Sequence, residues 1–131
     1  MPNQKPKLLI VDDEQDNLDL IYRTFRRQFQ VLKADSPTQA MDILEAEGEI
    51  PIVLSDQSMP EMTGIEFLRK VNQIFPKTIC MLLTGYSEEA LESESENDLS
   101  HIDQYISKPW NPTEFKTVIQ EAFELYQSRQ G

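Results

Sequence analysis

Ile52-Val53-Leu54-Ser55-Asp56-Gln57-Ser58-Met59-Pro60-Glu61-Met62-Thr63-Gly64 begins as an apolar run and breaks off at a carboxylate. Ile52, Val53 and Leu54 do not alternate with polar residues, the pattern of a strand covered on both faces in a parallel sheet. The run stops at Asp56 and passes into a loop carrying Met59-Pro60 and Gly64. In open α/β sheets, ligands and reactive groups gather beyond the carboxyl ends of the strands. Asp56 is therefore a candidate reacting group. Taken alone it reads better as a turn residue closing a strand, and the neighbouring segments are what reverse that preference.

The same punctuation recurs along the chain. Leu8-Leu9-Ile10-Val11 closes on Asp12-Asp13-Glu14, and Gln30 to Ala34 reads as a second short strand. Thr78 to Thr84 is apolar almost throughout and ends at Thr84-Gly85, while Gln104 to Ser107 runs into Lys108-Pro109. Between these runs the apolar period changes to that of a helix. Leu18, Ile21, Tyr22 and Phe25 form one stripe, with Arg23, Arg26 and Arg27 off it and Leu20 left as an exposed aliphatic. Ser36-Pro37-Thr38-Gln39 has the composition of a helix start with a capping box, and Gly48 ends that helix behind Ala40, Ile43 and Leu44. A third helix from about Gly64 is expected to bury Phe67, Leu68, Val71 and Ile74 and to stop before Pro76. A fourth is expected from Ser87, and a last from about Pro112 to Gln127 with Phe115, Val118, Ile119, Ala122, Phe123 and Tyr126 inward. His101, the sole histidine, lies in a polar segment and is expected at the surface. The order is five βα units, and right-handed crossovers place helices on both faces of a five-stranded parallel sheet. The fold class is α/β.

Composition narrows the function. The 131 residues are 39% hydrophobic and 27% charged, values of one globular domain, with a core expected over about residues 7–127. A formal net charge of −11 argues against direct binding to nucleic acid or to an anionic membrane surface. No apolar run approaches the roughly 20 residues of a membrane span, and the first residues do not form a secretory signal. Cys80, the only cysteine, sits in an apolar run as an unpaired thiol, which suits a reducing cytoplasm. Proteins are the expected partners.

The polar residues at the strand ends form a set: Asp12 and Asp13, Asp56, Thr84 and Lys108. Three carboxylates converging on one sheet edge repel unless a cation lies among them. A hard divalent ion such as Mg²⁺, with carboxylate and water ligands, resolves this. A carboxylate can also act as a nucleophile toward a phosphoryl group, giving an aspartyl phosphate. It is ionised at neutral pH, so no histidine is needed as general base. The charge on the transferred group then falls to the metal ion, the Lys108 ammonium and the Thr84 hydroxyl.

Val11-Asp12-Asp13, Ser55-Asp56 with Met59-Pro60 and Gly64, Leu83-Thr84-Gly85 and Lys108-Pro109 occur in the order and spacing of one family. From about Lys7 to Tyr126 the chain resembles a receiver domain of the two-component response regulators. The resemblance implies a flavodoxin-like sheet of order 2-1-3-4-5, with Asp56 as phosphoacceptor. It implies Asp12, Asp13, Asp56 and the Ser58 backbone carbonyl as ligands of Mg²⁺. Thr84 becomes the switch hydroxyl, Lys108 the phosphate-binding lysine and Tyr105 the switch aromatic. A histidine kinase or a phosphotransfer protein is the implied donor, docking on the first helix around Leu20 and on the loop after the fifth strand. Phosphorylation would then alter the face made by the fourth helix, fifth strand and last helix, which a downstream protein target or a separate output domain reads.

Two features depart from the common pattern. Six carboxylates lie between Glu88 and Asp98, and no Lys or Arg occurs from Thr84 to Ser107. Dimerisation through cross-subunit salt bridges from a basic fourth helix is therefore not expected. Second, Lys108-Pro109-Trp110 with Thr84-Gly85-Tyr86 is similar to receivers joined to signalling enzymes such as cyclic-dinucleotide phosphodiesterases; the 131 residues are expected to be either a single-domain regulator or a fragment of a longer protein. Tyr86 is expected to shield an acyl phosphate and slow its loss. The expected activity is a switch without turnover of an external substrate. A receiver-like interaction module without phosphorylation is the alternative. An aspartate-nucleophile phosphatase of the haloacid dehalogenase type ranks below both, because it wants a second acid where Ser58 stands.

Overall fold

Side chains of a strand alternate between the two faces of its sheet, and here both sets are apolar. Leu8, Ile10, Ile52, Leu54, Met81 and Leu83 join one core, while Leu9, Val11, Val53, Cys80 and Leu82 join another on the opposite face. The structure, a computed structural model, describes residues 5–85, 90 and 99–130. Its strands are β1 (Lys7–Val11), β2 (Gln30–Ala34), β3 (Ile52–Asp56), β4 (Ile79–Thr84) and β5 (Gln104–Ser107). They pair in parallel in the order β2-β1-β3-β4-β5. The helices are α1 (Gln15–Phe25), α2 (Pro37–Glu47), α3 (Gly64–Ile74) and α4 (Pro112–Gln130). The first core takes its helical side from α1 and α4, the second from α2 and α3. Tyr86, the helix expected from Ser87 and, Ala90 apart, the acidic segment to Asp98 lie outside the described residues.

Helix ends follow local chemistry. Ser36 caps α2, its hydroxyl accepting the Gln39 N–H at 3.1 Å, but the Gln39 side chain reaches back past Ser36 to accept the Asp35 N–H at 2.7 Å. Gly48 ends α2 at φ 79°, a left-handed value that suits glycine. A full capping box opens α3: Thr63 Oγ1 accepts from Glu66 N–H at 3.2 Å and Glu66 Oε1 accepts from Thr63 N–H at 3.0 Å. The last helix runs past the expected Gln127 to Gln130. Its end is held by Arg129, which donates to Asp103 Oδ1 at 2.7 Å, and by the Tyr126 hydroxyl, which donates to Glu49 at 2.7 Å.

Two expectations are corrected. Ile74 is 54% exposed rather than buried, because the half-buried Phe75, next along, takes the inward place at the end of α3. His101 is not on the surface: it is 7% exposed, with Nε2 2.9 Å from the Ile65 carbonyl oxygen. A polar segment can go inward when its polar side chain finds a partner there.

Gly64 sets how closely α3 starts against the end of β3. A Cβ at this position would stand 2.3 Å from the Asp56 carbonyl oxygen and 2.7 Å from Leu82. Gly64→Ala should therefore lower stability by about 1–3 kcal/mol, as overpacking against backbone does. Gly85→Ala, where an added Cβ meets nothing within 4 Å, should stay within about 0.5 kcal/mol of wild type. Urea unfolding of both variants checks the contrast.

Candidate functional site

The strand order reverses direction between β1 and β3, and in such sheets the crevice beyond the strand ends at that point receives ligands. Asp12 and Asp13 follow β1 directly, and Asp56 closes β3. One carboxylate oxygen from each of the three lies within 4.8 Å of the other two. Asp12 and Asp56 are only 2% and 4% exposed, whereas Asp13 faces solvent. At that spacing each pair of negative charges costs about 3 kcal/mol for an effective permittivity near 20.

Lys108 offsets part of this. Its ammonium forms an ion pair and hydrogen bond with Asp56 Oδ1. Its backbone N–H donates to the Thr84 carbonyl oxygen at 2.9 Å, which fixes where the side chain starts. Burial by itself would lower the Lys108 ammonium, but the bond to Asp56 and the charges of Asp56, Asp12 and Glu14 carry it above its ordinary value. Asp12 moves the other way for an acid. Burial, reinforced by the charge of Asp56, pushes its carboxyl up to about 6, against the opposing pull of the Glu14 N–H, Lys108 and Asn17. Those bonds measure 2.9 Å from Glu14 N to Oδ1 and 3.2 Å from Asn17 Nδ2 to Oδ2.

Three carboxylates facing one ammonium leave negative charge to spare, and the donors are all oxygen. That set fits a hard divalent cation such as Mg²⁺. Ser58, whose carbonyl was expected among the ligands, lies exposed on the loop after Asp56.

Thr84 and Tyr105 share a sheet face. Leu82 pairs with Tyr105 and Thr84 with Ser107, so the hydroxyl of Thr84 stands two positions beyond the residue opposite the aromatic. Thr84 is buried, and Tyr105 is half-buried against the core that contains Leu82 and Ile65. On the other flank, Leu20 is 45% exposed and lines a cavity of about 400 Å³ with Asn17, Thr24, Lys108, Pro109 and Trp110.

Sequence reasoning missed Gln57 and Asn17. Gln57 closes the loop after Asp56: its N–H donates to Leu83 O at 3.0 Å, its carbonyl accepts from Gly64 N–H at 3.0 Å and its side chain from Ile65 N–H at 3.0 Å. Nothing in a lone Gln after Asp56 announces this. Asn17 had a signal, since it falls one helical turn after Glu14, and its amide bonds both Asp12 and Glu14.

Residues 8–120 match the family model of the response regulator receiver domain. The chain belongs to this family. Among curated relatives, the hydrogenase transcriptional regulatory protein HoxA of Bradyrhizobium diazoefficiens is 36% identical over 119 residues, which is 91% of this chain and 24% of HoxA. The chemotaxis protein CheY homolog of Campylobacter jejuni is 30% identical over 121 residues, covering 88% of this chain and 90% of that protein. The signal receiver domain of an HD domain-containing protein from Pseudomonas fluorescens Pf-5 superposes with a TM-score of 0.86 at 28% identity, over 98% of this chain and 93% of that one. The chain thus spans about a quarter of the length of the HoxA proteins it matches. Among the described residues no helix is long and apolar enough to cross a membrane.

The Asp12 carboxyl in this receiver gives a testable pH dependence. Its folded value of about 6 lies above its ordinary 3.8, so its contribution to stability is full below the ordinary value and is lost as pH rises through 6. In chelator-containing buffer Asp12→Asn should be more stable than wild type at pH 7.5. The gap should narrow as pH falls through 6 toward 4, read by urea midpoints across that range.

Proposed function

We propose that this receiver accepts a phosphoryl group on Asp56 from a histidine kinase or a phosphotransfer protein, within a two-component phosphorelay. The observation that carries the reading is the Lys108–Asp56 ion pair set among the Asp12, Asp13 and Asp56 carboxylates at the β1/β3 crevice. In the transfer, an Asp56 oxygen forms a bond to phosphorus while the bond from phosphorus to the donor's imidazole nitrogen breaks and its electron pair stays on the imidazole. The nucleophile needs no base. Lys108 has its ammonium already on Asp56 and can follow the negative charge onto the phosphoryl oxygens. Thr84, from the neighbouring strand end, supplies a hydroxyl to another.

Asp12, Asp13, Asp56 and the Ser58 carbonyl are the proposed ligands of Mg²⁺. When bound, the ion neutralises charge on the acids and on the incoming phosphoryl oxygens. The chain's own contribution is to hold the acids close and Asp56 desolvated before the donor arrives. We place the protein in the cytoplasm and assign it self-phosphorylation and autodephosphorylation only, without an external substrate.

A phosphoryl group adds up to about two negative charges and three acceptor oxygens. Thr84 drawn toward it leaves room on the face it shares with Tyr105, so the aromatic can turn inward. That is the proposed switch, and its reader is a downstream protein or an output domain. The donor's docking surface is the cavity beside Leu20, where Leu20, Leu83, Pro109 and Trp110 supply apolar lining and Asn17, Thr24 and Lys108 polar lining.

Intact mass after incubation with Mg²⁺ and acetyl phosphate tests the acceptor. Wild type should gain about 80 Da, one phosphoryl group, and Asp56→Asn should gain nothing; equal gain in both would reject Asp56. The docking surface is tested separately with Leu20→Asp. This variant should keep its labelling by acetyl phosphate and lose at least about tenfold in transfer rate from the cognate donor, the equivalent of roughly 1.4 kcal/mol.

A further inference from the structure

Both backbone polar groups of Ile65, on the peptide planes before and after its Cα, are held. Its N–H donates to Gln57 Oε1 at 3.0 Å, and the Ile65 carbonyl oxygen lies 2.9 Å from His101 Nε2. A carbonyl oxygen only accepts, so Nε2 carries the proton of the imidazole. A helical carbonyl has a second lone pair to offer such a donor. Gln57 follows the proposed acceptor Asp56 directly. His101 stands in the turn that enters β5, where Ile102 N–H bonds Leu99 O at 3.0 Å and Asp103 N–H bonds Cys80 O at 2.8 Å. Tyr105 lies two residues beyond Asp103 on that strand.

The start of α3 depends on these bonds. The first N–H groups of a helix have no partner within it. Here Gly64 and Ile65 are both served by Gln57, and Glu66 by Thr63. Gly64 also lies against the Asp56 carbonyl with no room for a side chain. The first turn of α3 therefore cannot stay in place if Gln57 moves.

We infer that Gln57 and His101 are paired positioning residues that clamp the Ile65 backbone through its N–H and its carbonyl and tie the acceptor loop to the entry of β5. This route is separate from the one through Thr84. It rests on the phosphoacceptor reading for its signal but not for its existence. A displacement of the Asp56 backbone passes through the Gln57 side chain to the first turn of α3. From there it passes through the imidazole to the turn before Tyr105.

His101 is the only histidine in the sequence, so its ring nitrogens can be followed without ambiguity in ¹⁵N-labelled protein. In the free protein, long-range ¹H–¹⁵N spectra should show the Nε2–H tautomer; the Nδ1–H tautomer overturns the clamp. Beryllofluoride with Mg²⁺ serves as the acyl-phosphate mimic, and a bound ¹⁹F resonance certifies occupancy. On occupancy the imidazole resonances should shift. Gln57→Leu should abolish that shift while keeping the bound ¹⁹F signal, and Gln57→Glu, which keeps an acceptor oxygen at the same reach, should restore it. An occupied site with unmoved imidazole resonances overturns the clamp and leaves the acceptor reading standing. Absence of any bound ¹⁹F signal counts against the acceptor reading instead. In that event the clamp is decided by a double-mutant cycle of Gln57→Leu and His101→Leu. Non-additive shifts in the urea midpoint support it, and additive ones overturn it.

Discussion

The ammonium of Lys108 against the carboxylate of Asp56 is the contact on which the rest of the site depends. Asp56 is buried at a strand end beside two other acids, and removing the one cation among them would leave a buried charge without its partner. Breaking such a pair is far more costly than its net contribution suggests. The pair is also a consequence of sheet register. Asp56 pairs with Leu83, and Thr84 pairs with Ser107, so the residue after β5 arrives beside the residue ending β3 across a single intervening strand. A slip of one residue in either pairing would send every side chain of that strand to the other face. The two apolar cores, each filled by alternate residues of the same strands, are what forbid that slip.

How far the sequence could be read depended on whether the signal was periodic or relational. The carboxyl ends of all five strands were legible, and β3 and β4 most plainly, because runs such as Ile52 to Leu54 have no polar residue that could face solvent. The four strand-end groups were legible for the same reason, since each interrupts an apolar pattern at a fixed place. What escaped were residues whose burial depends on a distant partner. His101 reads as polar and exposed until the Ile65 carbonyl is found 2.9 Å away, 36 positions earlier in the chain. Ile74 reads as core because its spacing continues that of Phe67 and Val71, but α3 ends there and Phe75 packs in its stead. Gln57 reads as a loop residue because its three bonds reach β4 and α3.

The desolvation of the site has a cause beyond the pair itself. Asp12 is covered because its two oxygens are turned into the first turn of α1, where the Glu14 N–H and the Asn17 amide hold them. Those bonds stabilise the charged form, yet burial outweighs them and the carboxyl stands near 6. The acid is thus fixed in direction but starved of solvent. Preorganisation of this sort concentrates demand for a cation at one place, and it does so before any donor is bound. The fold places Asp13, the exposed member, where an ion and its waters can enter.

Trp110 links the site to the body of the protein. It follows Lys108 by two residues and packs edge-on against Phe115 with centroids 4.8 Å apart. Phe115 meets Phe25 at 4.9 Å, Phe25 meets Phe29 at 6.4 Å, and Phe29 meets Phe123 at 6.1 Å. Each such pair contributes about 0.5–1.5 kcal/mol beyond its buried area, so the loop bearing Lys108 rests on a row of rings between the end of α1 and the first half of α4. Pro109 and Trp110 also form a common wall between the cavity beside Leu20 and a second one, about 240 Å³, lined by Tyr105, Glu114 and Val118. One opening faces α1 and the other faces β5. Interiors packed to this density do not deform smoothly. A shift of Lys108 away from Asp56 must therefore be taken up by the short loop between Ser107 and Pro112, and it reshapes both openings together.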